Sequence, residues 1–313
     1  MFEIKCYEPS HEQAWNDFVA RSKNGTFLFD RRFMDYHSDR FADSSLMILR
    51  KGRIYALLPA NRVGDTLHSH QGLTYGGLLT DAKATAEGVM EAFGALNAWL
   101  RNEGVRRVTY KAMPWIYHRL PAEEDLYALT QVCHARLLTR EISSTILLQQ
   151  PLRFTESRKS GLRKALREGS YMEESGDLAA FWQMLDDNLT SRHHTHPVHS
   201  LDELRLLQGR FPQQIHLYLI YNKEKEPVGG TWVFDTGQVV HTQYIASTEE
   251  GKAHGALDLL FDELINRRYR EGIYLDFGKS TEEGGRVLNE HLIFQKEGFG
   301  GRGVCYDTYE WEP

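Results

Sequence analysis

The sequence predicts an α/β (α+β) chain built as two successive halves, 1–150 and 151–313, each a mixed central sheet flanked by helices. Three observations predict it. One order of elements occurs twice: two helices, three strands with tight turns, a long helix closed by glycine, a strand, a helix and a strand. Matched anchors keep a nearly constant offset, Trp15 and Trp182 lying 167 positions apart and Gly104 and Gly272, which close the long helices, 168. Finally, 313 residues that are 41% hydrophobic and 26% charged suffice for two ordinary domains with a core each.

In the first half, Ser10 with Gln13 forms a capping-box pattern. Ala14, Trp15, Phe18 and Val19 then share one helical face, which stops at Asn24-Gly25. A second short helix spans 31–37. Strands at 45–50 and 53–60 form a hairpin through Lys51-Gly52, and a third extended segment runs from Leu67 to Tyr75 and breaks at Gly76-Gly77. Val89, Phe93, Leu96 and Leu100 recur at helical spacing up to Gly104, and 105–111 is the returning strand. A helix over 123–134 and a β-branched strand over 141–148 close the half. After a basic stretch (149–169), the order restarts with helices at 178–189 and 201–207 and strands at 215–221, 228–235 and 239–246. A long helix follows from Ala256 to Glu271, then a strand at 273–277, a helix near 287–296 and a strand near 304–311.

Composition excludes several classes of function. Cys6, Cys133 and Cys305 have no CxxC spacing, which argues against a disulfide framework and a thiolate metal site and for a reducing compartment. The N-terminus lacks an apolar leader, and no run reaches the ~20 apolar residues of a membrane span. The expectation is a cytoplasmic protein without membrane insertion. A net charge of −6 argues against wrapping DNA.

Three stretches carry a family resemblance: SRKSGLRKALREG (157–169), GALDLLFDELINRRYREGIYLDFGKS (255–280) and FQKEGFGG (294–301). With the order of elements, they resemble the second half of tandem GNAT acyltransferases, the Fem-type aminoacyl transferases and related acetyltransferase-like proteins. The resemblance implies a duplicated GNAT fold. It also implies an N-acyltransferase that moves an acetyl or aminoacyl group from an activated donor to an amine of a phosphorylated saccharide or peptide, such as a cell-envelope precursor. Acyl-CoA is the first donor to consider. Aminoacyl-tRNA comes second, because no heptad stretch resembles the helical arm of many Fem enzymes. The GNAT diphosphate loop, Q/R-x-x-G-x-G/A, corresponds to Glu250-Gly251-Lys252-Ala253-His254-Gly255. Ala253, Gly255 and the helix start at Ala256 are kept, with Ala246 at the end of the preceding strand. Glu250 sets a negative charge where a phosphate would sit.

Acyl transfer needs a base for the amine, a stabiliser of the oxyanion and an acid for the leaving group. Lys296 matches the family's late lysine and is assigned the oxyanion; the alternative is a surface lysine paired with Glu290 or Glu297. Strand alternation separates Asp276 from Leu275 and Phe277, so Asp276 either orients or deprotonates the amine, or caps the turn at Gly278. Tyr244 and Tyr306 are candidate acids or packing residues. Arg158, Arg163 and Lys164 make a basic helical face for a phosphate, as in the family, or a solvated one. His70 and Tyr75 mark either a binding edge or a glycine bulge beside Gly76-Gly77. His193, His194, His196 and His199 crowd together without zinc-ligand spacing, so no metal is expected. A catalytically silent binding module is the competing class of function.

Overall fold

The structure, a computed structural model, describes residues 1–193 and 195–313. The chain divides into two compact units: unit 1 comprises Met1–Glu141, Glu283–Val287 and Cys305–Pro313, and unit 2 comprises Ile142–Glu282 and Leu288–Val304. Unit 1 contains β1 (Phe2–Cys6), α1 (Glu12–Arg21), α2 (Arg31–Met34), β2 (Leu46–Arg50), β3 (Arg53–Leu58), β4 (Asn61–Val63), β5 (Thr66–His68) and β6 (Leu79–Thr80). There follow α3 (Ala86–Asn102), β7 (Arg107–Lys111), α4 (Glu124–Gln131) and the start of β8 (Arg136–Leu147). The first antiparallel sheet runs β1-β2-β3-β6. In a second ladder, β5 pairs parallel with β7 through Thr66↔Arg107, Leu67↔Val108 and His68↔Thr109. The helix α3 lays Val89, Ala92, Phe93, Leu96 and Leu100 into the core as its spacing demands.

Unit 2 takes the end of β8, then α5 (Glu156–Arg167), β9 (Tyr171–Glu174), α6 (Leu178–His193), α7 (Leu201–Arg210), β10 (Ile215–Tyr221), β11 (Pro227–Asp235) and β12 (Val239–Ser247). Next come α8 (Glu249–His254), α9 (Ala256–Glu263), β13 (Tyr274–Lys279), the two-residue strands β14 (Thr281–Glu282) and β15 (Val287–Leu288), α10 (Glu290–Gly298) and β16 (Arg302–Trp311), of which Val287 and the residues from Cys305 onward belong to unit 1. Its sheet runs β8-β13-β12-β11-β10-β9. The strands β9 to β12 are antiparallel and β12 pairs parallel with β13. Layers of side chains cover both faces, so seven successive residues of β11 are buried and the strand reads as an apolar run.

The structure moves the domain boundary from 150/151 to within β8. Residues Ser143 to Leu147 of β8 pair with β13 of unit 2, while Thr308 to Trp311 of β16, the last strand, pair with β7 of unit 1. Each half thus ends in a strand that completes the other unit's sheet, which no local pattern encodes. Smaller differences are local. The helix α1 starts after a 3-10 turn with no side-chain cap, whereas a full capping box stands at Ser200 and Glu203. The long helix ends at Glu263 and continues as a π-turn over Leu264–Arg268, which brings both Leu264 and Ile265 into the core. No helix of the described residues is long and apolar enough to cross a membrane.

Candidate active site

The site grows from the parallel pair in unit 2. Only three residue pairs join β12 to β13: Val239↔Tyr274, Val240↔Leu275 and His241↔Asp276. Farther along β12, Gln243 is an extra residue, since Trp232 of β11 faces Tyr244 while the next residue, Val233, faces Thr242. Such a bulge bends the strand and strengthens its twist. Beyond the last parallel pair, Ile245, Ala246 and Ser247 of β12 and Phe277 of β13 line an opening of about 220 Å³. Leu257 and Phe261 of α9 and Leu292, Gln295 and Lys296 of α10 also line it, with Phe299, Asn188 of α6 and Lys252 of α8. This is an apolar slot with strand backbone at its rim, suited to an extended ligand that bears amides.

At the last parallel pair before the opening, and outside the slot's wall, lies a buried polar cluster. Val240, Leu275 and Phe277 belong to the apolar core with α9, so alternation places His241 and Asp276 on the other face. The Asp276 carboxylate, with no exposed surface, accepts hydrogen bonds from Ser143 Oγ at 2.5 Å and Thr145 Oγ1 at 2.7 Å on one oxygen. Its other oxygen lies 2.9 Å from His241 Nδ1. Burial pushes the Asp276 carboxyl up, but the hydrogen bond and charge of His241, with the two hydroxyl donors, hold it below the usual carboxylate range. A carboxylate so saturated is a poor base and a good anchor. The contact at Nδ1 fixes the orientation of the His241 ring.

Lys296 is 5% exposed, which rules out a surface lysine paired with Glu290 or Glu297. Its Nζ donates to Gly278 O (2.8 Å), Lys279 O (2.9 Å) and Ser280 Oγ (2.9 Å), bracing the turn where β13 leaves the sheet. Burial pulls its pKa down to about 8, with the nearby Asp276 charge opposing, so it stays charged at neutral pH. All three ammonium protons are engaged. The group therefore offers the slot a fixed point charge.

The other expected residues separate. Tyr244 shares a 2.6 Å hydrogen bond with His199 Nδ1 and is pushed up to about 12 by burial; it is absent from the slot's wall. Tyr306 belongs to unit 1, where its hydroxyl meets that of Tyr117 at 2.9 Å. His70 and Tyr75 are interior residues of unit 1 rather than a binding edge. Tyr75 bonds Thr26 at 3.1 Å, and His70, held at a φ of 139°, stacks on His37. Burial, then the charges of His37, Lys111 and Arg31, draw the His70 pKa down to about 3. Arg158 pairs with Asp258 at 3.0 Å and Lys164 donates to Ala253 O at 2.8 Å, so two members of the basic face are tied to neighbouring helices, while Arg163 is exposed. Of the histidine run, His196 pairs with Asp186 and His199 with Tyr244; His194 lies outside the described residues, and no metal-ligating group occurs among the described residues. Sequence reasoning missed His241, Ser143 and Thr145. The available signal was a histidine within the apolar strand VVHTQYIAS.

Of the donor-loop set, Ala246 lines the slot. The diphosphate cradle is absent as such. The six-residue α8 is capped by Thr248 Oγ1 on Gly251 N and carries Glu249 and Glu250 in its first turn. At the start of α9, Gly255 presses on α5, a Cβ there falling 2.3 Å from Gly161 O, and Ala256 is core. The slot is narrow and mostly apolar, whereas the loop sets the carboxylates of Glu249 and Glu250 where the resemblance would place a diphosphate. A hollow of about 500 Å³ also borders α8, lined by Arg167, Lys223, Glu224, Glu250 and His254 among others. Its cations and carboxylates offset one another, whereas the smaller slot is lined by the buried Lys296.

A parallel strand pair that parts over a slot, between two covering layers of helices, decides the architecture. The chain has the fold of a GNAT acyltransferase. Residues 154–284 match the family model described as an acetyltransferase (GNAT) domain. Among solved structures, "FemX" aligns at TM-score 0.68 with 11% identity, covering 99% of this chain and 97% of that one. The C-terminal domain of a putative lysylphosphatidylglycerol synthetase from Agrobacterium fabrum aligns at TM-score 0.61 with 13% identity, covering 96% and 91%. A tandem GNAT protein from the clavulanic acid biosynthesis pathway aligns at TM-score 0.51 with 12% identity, covering 100% and 98%. No curated protein sequence matches the chain. At these identities the structural likeness concerns the fold.

Proposed function

We propose that unit 2 is an N-acyltransferase which takes an activated acyl donor into the slot between β12 and β13. The parting of the two strands after His241↔Asp276 carries this reading, because it leaves strand residues and the buried Lys296 facing one small apolar space. The donor's acyl carbon lies at the root of the slot and the acceptor amine approaches from the His241 face. As nitrogen bonds to that carbon, His241 Nε2 accepts the amine proton, while Asp276 fixes the imidazole and stabilises its charged form. The Lys296 charge stabilises the oxyanion. Collapse breaks the bond to the thiolate or alkoxide, which leaves with the proton from His241.

For the acceptor we propose an amino group on a phosphorylated saccharide or peptide, with Arg163 as its phosphate contact. A guanidinium fork grips phosphate oxygens in pairs, so Arg163→Ala raises KM more than Arg163→Lys does and flattens its dependence on salt. An unchanged KM removes the phosphate from the acceptor. The enzymatic reading itself is tested by incubating the protein with acetyl and aminoacyl donors and an amine panel, following acylated amine by mass spectrometry. Product formed by the native chain and lost in His241→Gln supports it. A folded native chain that forms none with any donor refutes it.

A further inference from the structure

Resting on the acyltransferase reading, the covering of the helix starts after β12 bears on the class of donor. A diphosphate needs exposed backbone N–H groups at a helix start, free of nearby carboxylates. Here α5 lies across that ground. Gly161 backs directly onto Gly255, which adopts a φ of 77°. The Asp258 carboxylate stands in the first turn of α9, bound by Arg158 at 3.0 Å, and a Cβ on Gly161 would fall 1.8 Å from it. Lys164 of α5 closes the other side through Ala253 O. On α8, Thr248 caps the helix and Glu249 and Glu250 fill its first turn; Glu249 binds Lys252, and Glu250 accepts from Asn222 at 3.0 Å. Both helix starts thus already carry carboxylates with partners of their own. The slot itself is intact, with Leu257, Phe261, Phe277, Leu292 and Phe299 offering apolar contact to a slender arm.

We infer that the acyl donor is recognised through its acyl-bearing arm alone, so that the donor class is a thioester or ester on a slender amide-containing arm with no diphosphate contact to the protein. Each charge-assisted hydrogen bond to a diphosphate would favour coenzyme A over its isolated arm, and two or more would separate them by about 100-fold.

Calorimetric titration with pantetheine, coenzyme A and adenosine 3′,5′-bisphosphate reads this directly. Pantetheine and coenzyme A are expected to bind with Kd values within about 3-fold of each other. The bisphosphate gives no heat. Gln295→Trp, at a half-exposed wall position of α10, fills the slot and abolishes both bindings together. Coenzyme A binding more than 30-fold tighter than pantetheine, heat from the bisphosphate, binding of neither arm, or arm binding insensitive to Gln295→Trp each overturns the inference. Equal binding of both arms without acyl transfer from any donor instead refutes the proposed function and leaves the recognition mode standing.

Discussion

Asp276 and His241 act as one unit at the residue scale, because the carboxylate has three donors and the imidazole one fixed orientation. Asp276→Asn preserves shape but turns an amide toward Nδ1 and removes the charge that stabilises the imidazolium. It is expected to lower kcat about 100-fold or more with little change in KM, the range that general acid-base catalysis contributes. His241→Gln should lose a similar factor, and the double mutant little more, since members of a unit are not additive. A double mutant that multiplies the two losses would show that the residues act separately. Lys296 supplies a second test through pH. Its folded pKa is near 8 and its free value 10.5, so between these values the unfolded chain binds a proton that the folded chain does not. The group therefore adds stability as pH rises through that window, by up to about 1.4 kcal/mol per unit, and that gain is lost as pH falls through 8. Denaturant titrations at several pH values should show this slope in the native chain and not in Lys296→Met. The catalytic charge runs the other way: kcat should fall above about pH 8 as the ammonium deprotonates.

The elements are joined by close approaches whose cost depends on what surrounds them. Gly104 and Gly255 both sit at positive φ, 68° and 77°. A Cβ on Gly104 meets nothing within 4 Å, so Gly104→Ala costs only the backbone term of about 1–2 kcal/mol. At Gly255 the added methyl would strike the Gly161 backbone at 2.3 Å, where neither helix has a flexible end to move. Overpacking adds about 1–3 kcal/mol, so Gly255→Ala should lower the melting temperature distinctly more than Gly104→Ala. Equal shifts would mean that α5 yields freely from α9. The capping box at Ser200 is a smaller matter: its Oγ accepts Glu203 N at 3.2 Å, and Ser200→Ala should cost about 1 kcal/mol.

For the whole molecule, the exchange of closing strands governs what folds. Trp311 of β16 is buried in the core of unit 1, against Phe93 and Tyr110, with its Nε1 donating to Asn97 at 2.9 Å. Trp311→Ala removes that volume and takes the indole donor from Asn97 Oδ1, a loss of about 3–5 kcal/mol. A fragment of residues 1–150 lacks β16, and one of 151–313 lacks the β8 segment that pairs with β13. Neither is expected to show cooperative melting by circular dichroism when expressed alone. A mixture of the two should recover it. Cooperative unfolding of either fragment by itself would show that the borrowed strand is dispensable.

Local periodicity made most elements legible. The run Val89, Phe93, Leu96 and Leu100 and the glycine closing it fix α3 without reference to anything distant, and the doubled order follows from such runs. Single residues with one dominant demand were legible too. The isolated Lys296 of the late helix was marked by family resemblance, and Asp276 by the alternation of its strand. The sequence thus determined the duplicated fold class and two members of the candidate site. The tertiary structure decided that Asp276 serves through His241, that Lys296 has spent its three donors on the turn after β13, and that α5 covers the helix starts after β12. It also decided which sheet each closing strand enters. The reason is physical: side-chain periodicity is set by neighbours three or four residues apart along a helix and two along a strand. Strand partners, parallel register and the covering of a helix end are instead set by packing between segments up to a hundred or more positions apart.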